Sequence, residues 1–127
     1  ISNFLKWPYC NVCSDGAMKG HPRGHGAFTR VLGRYVREQK LMPLETAIQK
    51  MTSLTAENMG IQQRGLIAPG YYADLVLFDP ETIIDNATVE NSLLLSTGVH
   101  GVWVNGKLVY QDQKAIANYS GRFVGRM

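Results

Sequence analysis

Apolar side chains recur at helical spacing in two stretches of the first half of the chain. The first stripe consists of Phe28, Val31, Leu32, Tyr35 and Val36. The second stripe consists of Leu44, Ala47, Ile48, Met51 and Leu54. This period is typical of a helix with one buried face, so the pattern predicts two amphipathic helices. Pro43 suits the first position of the second helix. A short third helix is predicted, with Thr55 as its N-cap and Gly60 at its end.

One apolar run precedes these helices. Residues 9–14 predict a short buried strand, and residues 15–26 predict a loop that contains four glycines. Asp15 lies where the two meet, between Ser14 and Gly16. The C-terminal end of a buried strand is where (β/α) barrels keep their catalytic groups, but an Asp in that place is also a common turn former or helix cap. Asp15 is therefore a candidate catalytic residue with a structural alternative.

After residue 60 the pattern changes to short apolar runs between turn residues, which is typical of strands. The predicted strands are residues 66–68, 75–78, 99–104 and 107–110. Pro69-Gly70 separates the first two strands. Asn105-Gly106 separates the last two, and this dipeptide is the strongest short signal for a hairpin. Residues 84–98 show no clear period and predict a loop.

This order of elements makes an awkward independent domain. One strand cannot form a sheet alone, and the amphipathic helices need a sheet to cover. With 127 residues, the chain has room for one domain or for a fragment of a larger one. Because residue 1 is Ile rather than Met, we expect the natural N-terminus to lie upstream. No signal peptide is visible in this sequence, and we expect a cytoplasmic protein.

The charge of the chain raises the question of an anionic partner, since the formal net charge is +3. The basic residues between 19 and 40 are Lys19, Arg23, Arg30, Arg34, Arg37 and Lys40. Most of them lie along the first predicted helix, and we expect them to form its solvated face. A nucleic-acid surface would need stacking aromatic groups or a recognition motif, and a membrane span would need roughly 18 consecutive apolar residues. The sequence has neither, so we expect no nucleic-acid or membrane partner.

Other reactive side chains have simple structural explanations. Cys10 and Cys13 have C-x-x-C spacing, but there is no second pair for a zinc ribbon. Residues three apart on a strand point to opposite faces, so we expect two small buried residues instead of a redox pair. Asp74 and Asp79 flank a predicted strand, and His100 lies inside another; all three are expected to be structural.

Several motifs together are characteristic of one family. The narrowest series is Ser14-Asp15-Gly16, His21-Pro22-Arg23 and Val31-Leu32-Gly33. Residues 69–76, Pro-Gly-Tyr-Tyr-Ala-Asp-Leu-Val, form a segment widespread in metal-dependent amidohydrolases. On these motifs the chain resembles the D-aminoacylase (N-acyl-D-amino-acid deacylase) branch of the amidohydrolase superfamily. The resemblance covers nearly the whole chain, but only the last part of the family's chain.

The resemblance implies an α/β fragment made of two parts. Residues 1–60 would be the C-terminal end of a TIM-like (β/α)8 barrel, with its last strand, its active-site loop and its helices. Residues 61–127 would be strands of a small β-sandwich domain. The rest of the amidohydrolase chain, including barrel strands one to seven and the main His metal ligands, would lie outside this sequence.

The resemblance also implies an activity and roles for three residues. The complete enzyme would be zinc-dependent and would hydrolyse the amide bond of N-acyl-D-amino acids, whereas the isolated fragment would be inactive. Asp15 would be the catalytic residue that takes a proton from water and passes it to the leaving amine, and its contact with Zn²⁺ would be weak or water-mediated. Arg23 and His21 would bind the small-molecule substrate, and the planar fork of Arg23 suits a carboxylate. For both, a structural role in the loop is the alternative.

Two other functions remain open at this point. One is another amidohydrolase activity, such as that of a dihydropyrimidinase-like cyclic amidase, against which the Ser-Asp-Gly and His-Pro-Arg series argues. The other is a non-catalytic, β-rich interaction module, if residues 1–127 are a complete chain. Sequence upstream of Ile1 would separate them, since a His-x-His motif after an early strand favours the enzyme.

Overall fold

The structure is a computed structural model that describes residues 1–16 and 20–125. Its helices are α1 (Ser2–Lys6), α2 (Arg23–Arg30), a π-helix (Val31–Glu38) that continues α2, α3 (Leu44–Met51) and α4 (Ser53–Met59). Its strands are β1 (Leu75–Phe78), β2 (Val99–Val104), β3 (Lys107–Gln111) and β4 (Lys114–Ala115). The helices in these ranges are all too short or too polar to cross a membrane.

The first amphipathic helix begins earlier than the apolar pattern predicts. Helix α2 starts at Arg23, so the prediction of a loop over residues 15–26 is wrong for residues 23–26; residues 17–19 lie outside the described part of the chain. Pro22 already has helical dihedral angles. The main-chain N–H of Arg23 donates to Nδ1 of His21, which satisfies one of the donors that a helix start leaves unpaired. Arg23 of the His-Pro-Arg motif therefore begins the helix, and His21 and Pro22 immediately precede it.

The next two helices exist as predicted, but their starts differ from the prediction, and Leu54 of the second stripe lies in α4 instead of α3. Pro43 immediately precedes α3 instead of occupying its first position. Thr55 is not an N-cap, because α4 starts two residues before it; its hydroxyl instead donates to the main-chain oxygen of Lys50 at 2.7 Å. Gly60 ends α4 with a φ of 68°, in the left-handed region that favours glycine, as predicted.

Residues 9–14 do not form the predicted strand. They belong to no strand, and their side chains are half-buried or exposed. A strand requires a neighbouring strand for its hydrogen bonds, and all the strand pairs in the described residues lie among β1–β4. The segment is held instead by helices, since the main-chain N–H of Val12 donates to the oxygen of Lys50 at 3.4 Å. Cys10 is half-buried and Cys13 is exposed, so the prediction that both are buried is wrong.

The second half of the chain forms one antiparallel sheet in the order β1-β2-β3-β4. Val102 pairs with Val76 on one side and with Tyr110 on the other. The β2–β3 hairpin turns at Asn105 and Gly106, whose φ angles are 49° and 79°. Positive φ at both positions is what a type I′ hairpin turn requires, and this confirms the hairpin prediction.

Two other predictions for this half have different outcomes. Residues 66–68 form no strand, and Ile67 is 92% exposed. The prediction rested on apolar composition, but no strand in the described part of the chain pairs with residues 66–68. Residues 84–98 are largely irregular, as predicted, apart from an isolated bridge between Ile84 and Thr97.

The core joins the two halves of the chain. Its buried residues are Val31, Leu32, Ala47 and Ile83. The first three come from the predicted apolar stripes, whereas Ile83 comes from the turn after β1. A Cβ atom built on Gly33 would lie 2.5 Å from the carbonyl oxygen of Ile83, so the π-helix and this turn are in direct backbone contact. This packing brings the segment after β1 to the helix that carries the His-Pro-Arg motif.

Candidate active site

Asp15 and Arg23 form an ion pair. Asp15 has a φ of 44°, a left-handed conformation that Asp tolerates better than most residues. Its Oδ2 atom lies 2.8 Å from Nη2 of Arg23, and Nε of Arg23 donates to the main-chain oxygen of Asp15 at 3.4 Å. The two side chains are 72% and 46% exposed, so the pair contributes little to stability. The structure thus brings together two of the three residues that the sequence singles out.

His21 completes this group through the main chain. Its Nδ1 atom accepts the hydrogen bond from the Arg23 N–H, at 3.1 Å. A neutral imidazole whose Nδ1 is an acceptor carries its proton on Nε2, which leaves Nε2 as the donor for another group. This contact orients the ring and fixes the first turn of α2.

A cleft of about 380 Å³ opens beside this group. His21, Arg23 and Arg30 of the helical half line one part of it, and Asp85, Thr88 and Val89 of the irregular segment line another. Both arginines are paired with carboxylates, Arg23 with Asp15 and Arg30 with Asp85, but a guanidinium has five N–H donors, so each can still contact a further anionic group. The cleft exists only because the segment after β1 packs on α2.

Asp85 is the site residue that sequence reasoning missed. Its side chain is 4% exposed, and its carboxylate accepts hydrogen bonds from Nη1 of Arg30 at 2.6 Å and from Nε of Arg34 at 2.9 Å. The hydrogen bond to Asp85 raises the pKa of Arg30, against an opposing effect of desolvation. Burial of a carboxylate is tolerable when it is paired and hydrogen-bonded in this way.

The arginines of this helix are therefore a solvated face only in part, because Arg30 and Arg34 are 50% and 41% exposed but are also paired with Asp85. Besides Arg30 and Arg34, Arg37 donates to the carbonyl oxygens of Pro80 and Ile83, at 3.1 and 2.6 Å. The signal in the sequence is the spacing of the three arginines, four and three residues apart, which places them on one face of a helix. What they contact could not be read from the spacing.

The two aspartates that flank β1 have local partners. Asp74 pairs with Arg64 and accepts a hydrogen bond from the main-chain N–H of Asn105 at 2.8 Å. Asp79 accepts hydrogen bonds from the N–H of Glu81 and the hydroxyl of Thr82, and these lower its pKa, the Glu81 bond most. Both sets of contacts are those expected of structural residues at turns.

The residues present do not make a metal site by themselves. Over residues 1–16 and 20–125, no group of three or more His, Cys, Asp or Glu side chains is placed so that it could hold a metal ion. A catalytic zinc site usually has three protein ligands. Asp15 contacts an arginine, and His100 lies 3.9 Å from Asp112. Neither arrangement is a metal-binding donor set.

Comparison with known proteins identifies the family of this chain. The model of the amidohydrolase family matches residues 10–110. A D-aminoacylase of Alcaligenes xylosoxydans xylosoxydans is 49% identical over 129 residues, which cover 99% of this chain and 27% of the relative.

Solved structures extend the similarity to the backbone. A D-aminoacylase described by its binuclear metal center, with activation by one metal and attenuation by the second, matches with a TM-score of 0.94 and 45% identity, over 98% of this chain and 27% of that chain. An N-acyl-D-glutamate deacylase from Bordetella bronchiseptica, complexed with zinc and a phosphonate mimic of the tetrahedral intermediate, matches with a TM-score of 0.85 and 44% identity, over 98% and 25% of the two chains. This chain therefore spans about a quarter of the length of these proteins.

Proposed function

We propose that this chain, which belongs to the amidohydrolase family, is the C-terminal part of an enzyme that hydrolyses the amide bond of N-acyl-D-amino acids. The observation that carries the proposal is the ion pair of Asp15 with Arg23, which lines a cleft together with His21, on a backbone similar to that of a D-aminoacylase with a TM-score of 0.94. The products would be a carboxylate and a D-amino acid.

In this proposal Asp15 handles the proton. Water attacks the carbonyl carbon of the amide, and its proton passes to the Asp15 carboxylate. The carbon–nitrogen bond then breaks, and the same proton passes from Asp15 to the leaving amine. Exposure of the Asp15 side chain on the surface that Arg23 shares gives water and substrate access to it.

Arg23 would bind the α-carboxylate of the substrate. In an N-acyl amino acid this carboxylate is separated from the amide nitrogen by a single carbon atom, so its anchor and the proton shuttle must lie close together. The 2.8 Å contact between Arg23 and Asp15 meets that requirement. A guanidinium has five N–H donors, enough to contact a substrate carboxylate and Asp15 together. His21 would donate from Nε2 to the same substrate, while its Nδ1 holds the helix start.

The remainder of the polypeptide would supply what this chain lacks. We assign residues 1–60 to the C-terminal end of a (β/α)8 barrel, which would carry the candidate site. We assign residues 61–127 to the strands of a small β-sandwich. The helices of the first part and the antiparallel sheet of the second support this division. The main His ligands of Zn²⁺ in the complete enzyme would lie outside this chain, and the contact of Asp15 with the metal would be weak or water-mediated.

The two alternatives have less support. A cyclic amidase would share the family, but the 44–49% identity to deacylases and the Ser-Asp-Gly and His-Pro-Arg motifs favour the linear substrate. A non-catalytic module does not explain why the backbone follows an enzyme over 98% of this chain.

The test uses the complete, zinc-loaded polypeptide that contains this chain. We expect it to release amino acid from N-acetyl-D-amino acids much faster than from their L enantiomers, and to leave a dihydropyrimidine ring intact. The separate 127-residue chain is the matched control and should show no turnover. Ring opening without deacylation would replace the proposal by the cyclic amidase, and activity of the separate chain would refute the assignment as a part.

A further inference from the structure

Lys50 is a buried lysine that contacts the segment leading to Asp15. It lies on α3 and is 4% exposed. Its Nζ atom donates to the main-chain oxygens of Trp7 at 2.5 Å, Cys10 at 3.3 Å and Pro8 at 3.4 Å. An ammonium group has three N–H donors, and here three carbonyl acceptors match them. A buried ammonium without such partners would be costly, so the three carbonyls and Lys50 depend on each other.

The main chain of Lys50 holds the same segment further along. Its carbonyl oxygen accepts the N–H of Val12 at 3.4 Å. One residue earlier, the side chain of Asn11 accepts a hydrogen bond from Asn58 of α4 at 3.0 Å. Helices α3 and α4 thus hold residues 7–12 at several consecutive points, and Asp15 follows three residues after the last of them.

These contacts anchor the segment on the side that faces the helices. The helices therefore contribute to the position of its backbone, through hydrogen bonds to residues at both of its ends. A misplacement of about 1 Å at a reacting group can cost a hundredfold in rate. The placement of Asp15 is therefore sensitive to the group that holds residues 7–12.

We propose that Lys50 is a positioning residue, whose ammonium group fixes the segment 7–12 and so places the Asp15 carboxylate for proton transfer. The proposal rests on the proposed function, in which Asp15 handles the proton. Lys50 does not touch the substrate. Arg23 and His21 lie on or next to α2, outside the held segment, so substrate binding should depend on Lys50 much less than turnover does.

The test is Lys50→Met in the complete, zinc-loaded polypeptide. Met keeps most of the length of the side chain but has no donors. We expect kcat per folded, zinc-loaded enzyme to fall by about ten- to a hundredfold, with KM changed by no more than about twofold. Thr52→Val is the matched control, because it removes a hydrogen bond to the carbonyl oxygen of Ile48 in α3 and changes no contact of residues 7–12. It should lower the melting temperature and leave kcat unchanged.

Amide hydrogen exchange gives a readout that does not require activity. In Lys50→Met, we expect faster exchange of the peptide covering residues 7–16 and unchanged exchange of the β2–β3 hairpin. If Lys50→Met does not yield folded protein, Lys50→Gln, which keeps an amide donor, takes its place with a smaller expected loss. A kcat and exchange rate equal to those of wild type would overturn the proposal. An inactive wild type would refute the proposed function instead, and the exchange of residues 7–16 would then decide the role of Lys50 alone.

Discussion

Asp85 accepts a 2.6 Å hydrogen bond from Arg30, a residue 55 positions earlier in the chain. The carboxylate is almost fully buried, while the Arg30 side chain is 50% exposed and lines the cleft next to Arg23. The contact joins α2, which begins at Arg23, to the segment after β1 that forms the other wall of the cleft. The shape of the candidate site therefore depends on a residue far from its motifs.

Asp85→Asn should lower the free energy of unfolding by about 2 kcal/mol, the worth of a hydrogen bond to a charged group. The cost stays below that of a fully buried pair, because Arg30 and Arg34 are partly exposed and can be hydrated when the charge is lost. Urea unfolding of the variant and of wild type measures this change in the free energy of unfolding. Glu81→Gln, the same change at an exposed position of the same segment, is the control and should stay within about 0.5 kcal/mol of wild type. Equal effects of the two variants would show that Asp85 does not stabilise the fold.

Gly33→Ala should destabilise the protein, although Ala is the better helix former by about 1 kcal/mol. The new Cβ would lie 2.5 Å from the Ile83 oxygen and 2.7 Å from Cδ1 of Ile84, so backbone must move. Overpacking of this kind costs about 1–3 kcal/mol. Gly121→Ala, where a Cβ meets nothing within 4 Å, is the control. A higher melting temperature for Gly33→Ala would mean that the π-helix and the Ile83 turn are not in contact.

Asp15→Asn in the complete enzyme should remove most turnover while the fold and the zinc content stay nearly intact. The amide keeps the shape of the side chain but cannot take up the proton. Steady-state kinetics together with metal analysis and circular dichroism test this. A loss of less than about tenfold in kcat would be too small for the main proton shuttle, given that general acid–base catalysis contributes about a hundredfold or more.

Arg23→Lys should lower kcat/KM strongly and change the free energy of unfolding little. Lys keeps the charge but lacks the planar fork that holds a carboxylate with two nitrogens. We expect kcat/KM for an N-acyl-D-amino acid to fall by about ten- to a hundredfold, equivalent to about 1.4–2.8 kcal/mol.

The measurement compares wild type and Arg23→Lys on an acid substrate and on its carboxamide. The carboxamide lacks the proposed partner and should be nearly insensitive to the substitution. Equal losses on both substrates would mean that Arg23 holds Asp15 and the start of α2 rather than the substrate.

The sequence by itself determined the elements whose signals are local. The stripes that contain Val31, Leu32 and Ala47 form buried helix faces, because helical periodicity is a property of neighbouring residues. Asn105-Gly106 forms the hairpin turn and Gly60 ends α4, because left-handed backbone is accessible to these residue types. The three candidate site residues were singled out from short motifs and from the family resemblance that these motifs carry.

Only the tertiary structure decided the features that need a partner far away in the chain, namely strand pairing and ion pairs. Residues 9–14 and 66–68 have the composition of strands, but strand hydrogen bonds come from another segment, and in the described chain none pairs with them. The spacing of Arg30 and Arg34 showed a shared helix face, yet their partner Asp85 lies beyond a strand and a turn. In the same way, the motifs name Asp15 and Arg23, but only the folded chain brings their side chains within 2.8 Å, because that distance depends on where α2 packs.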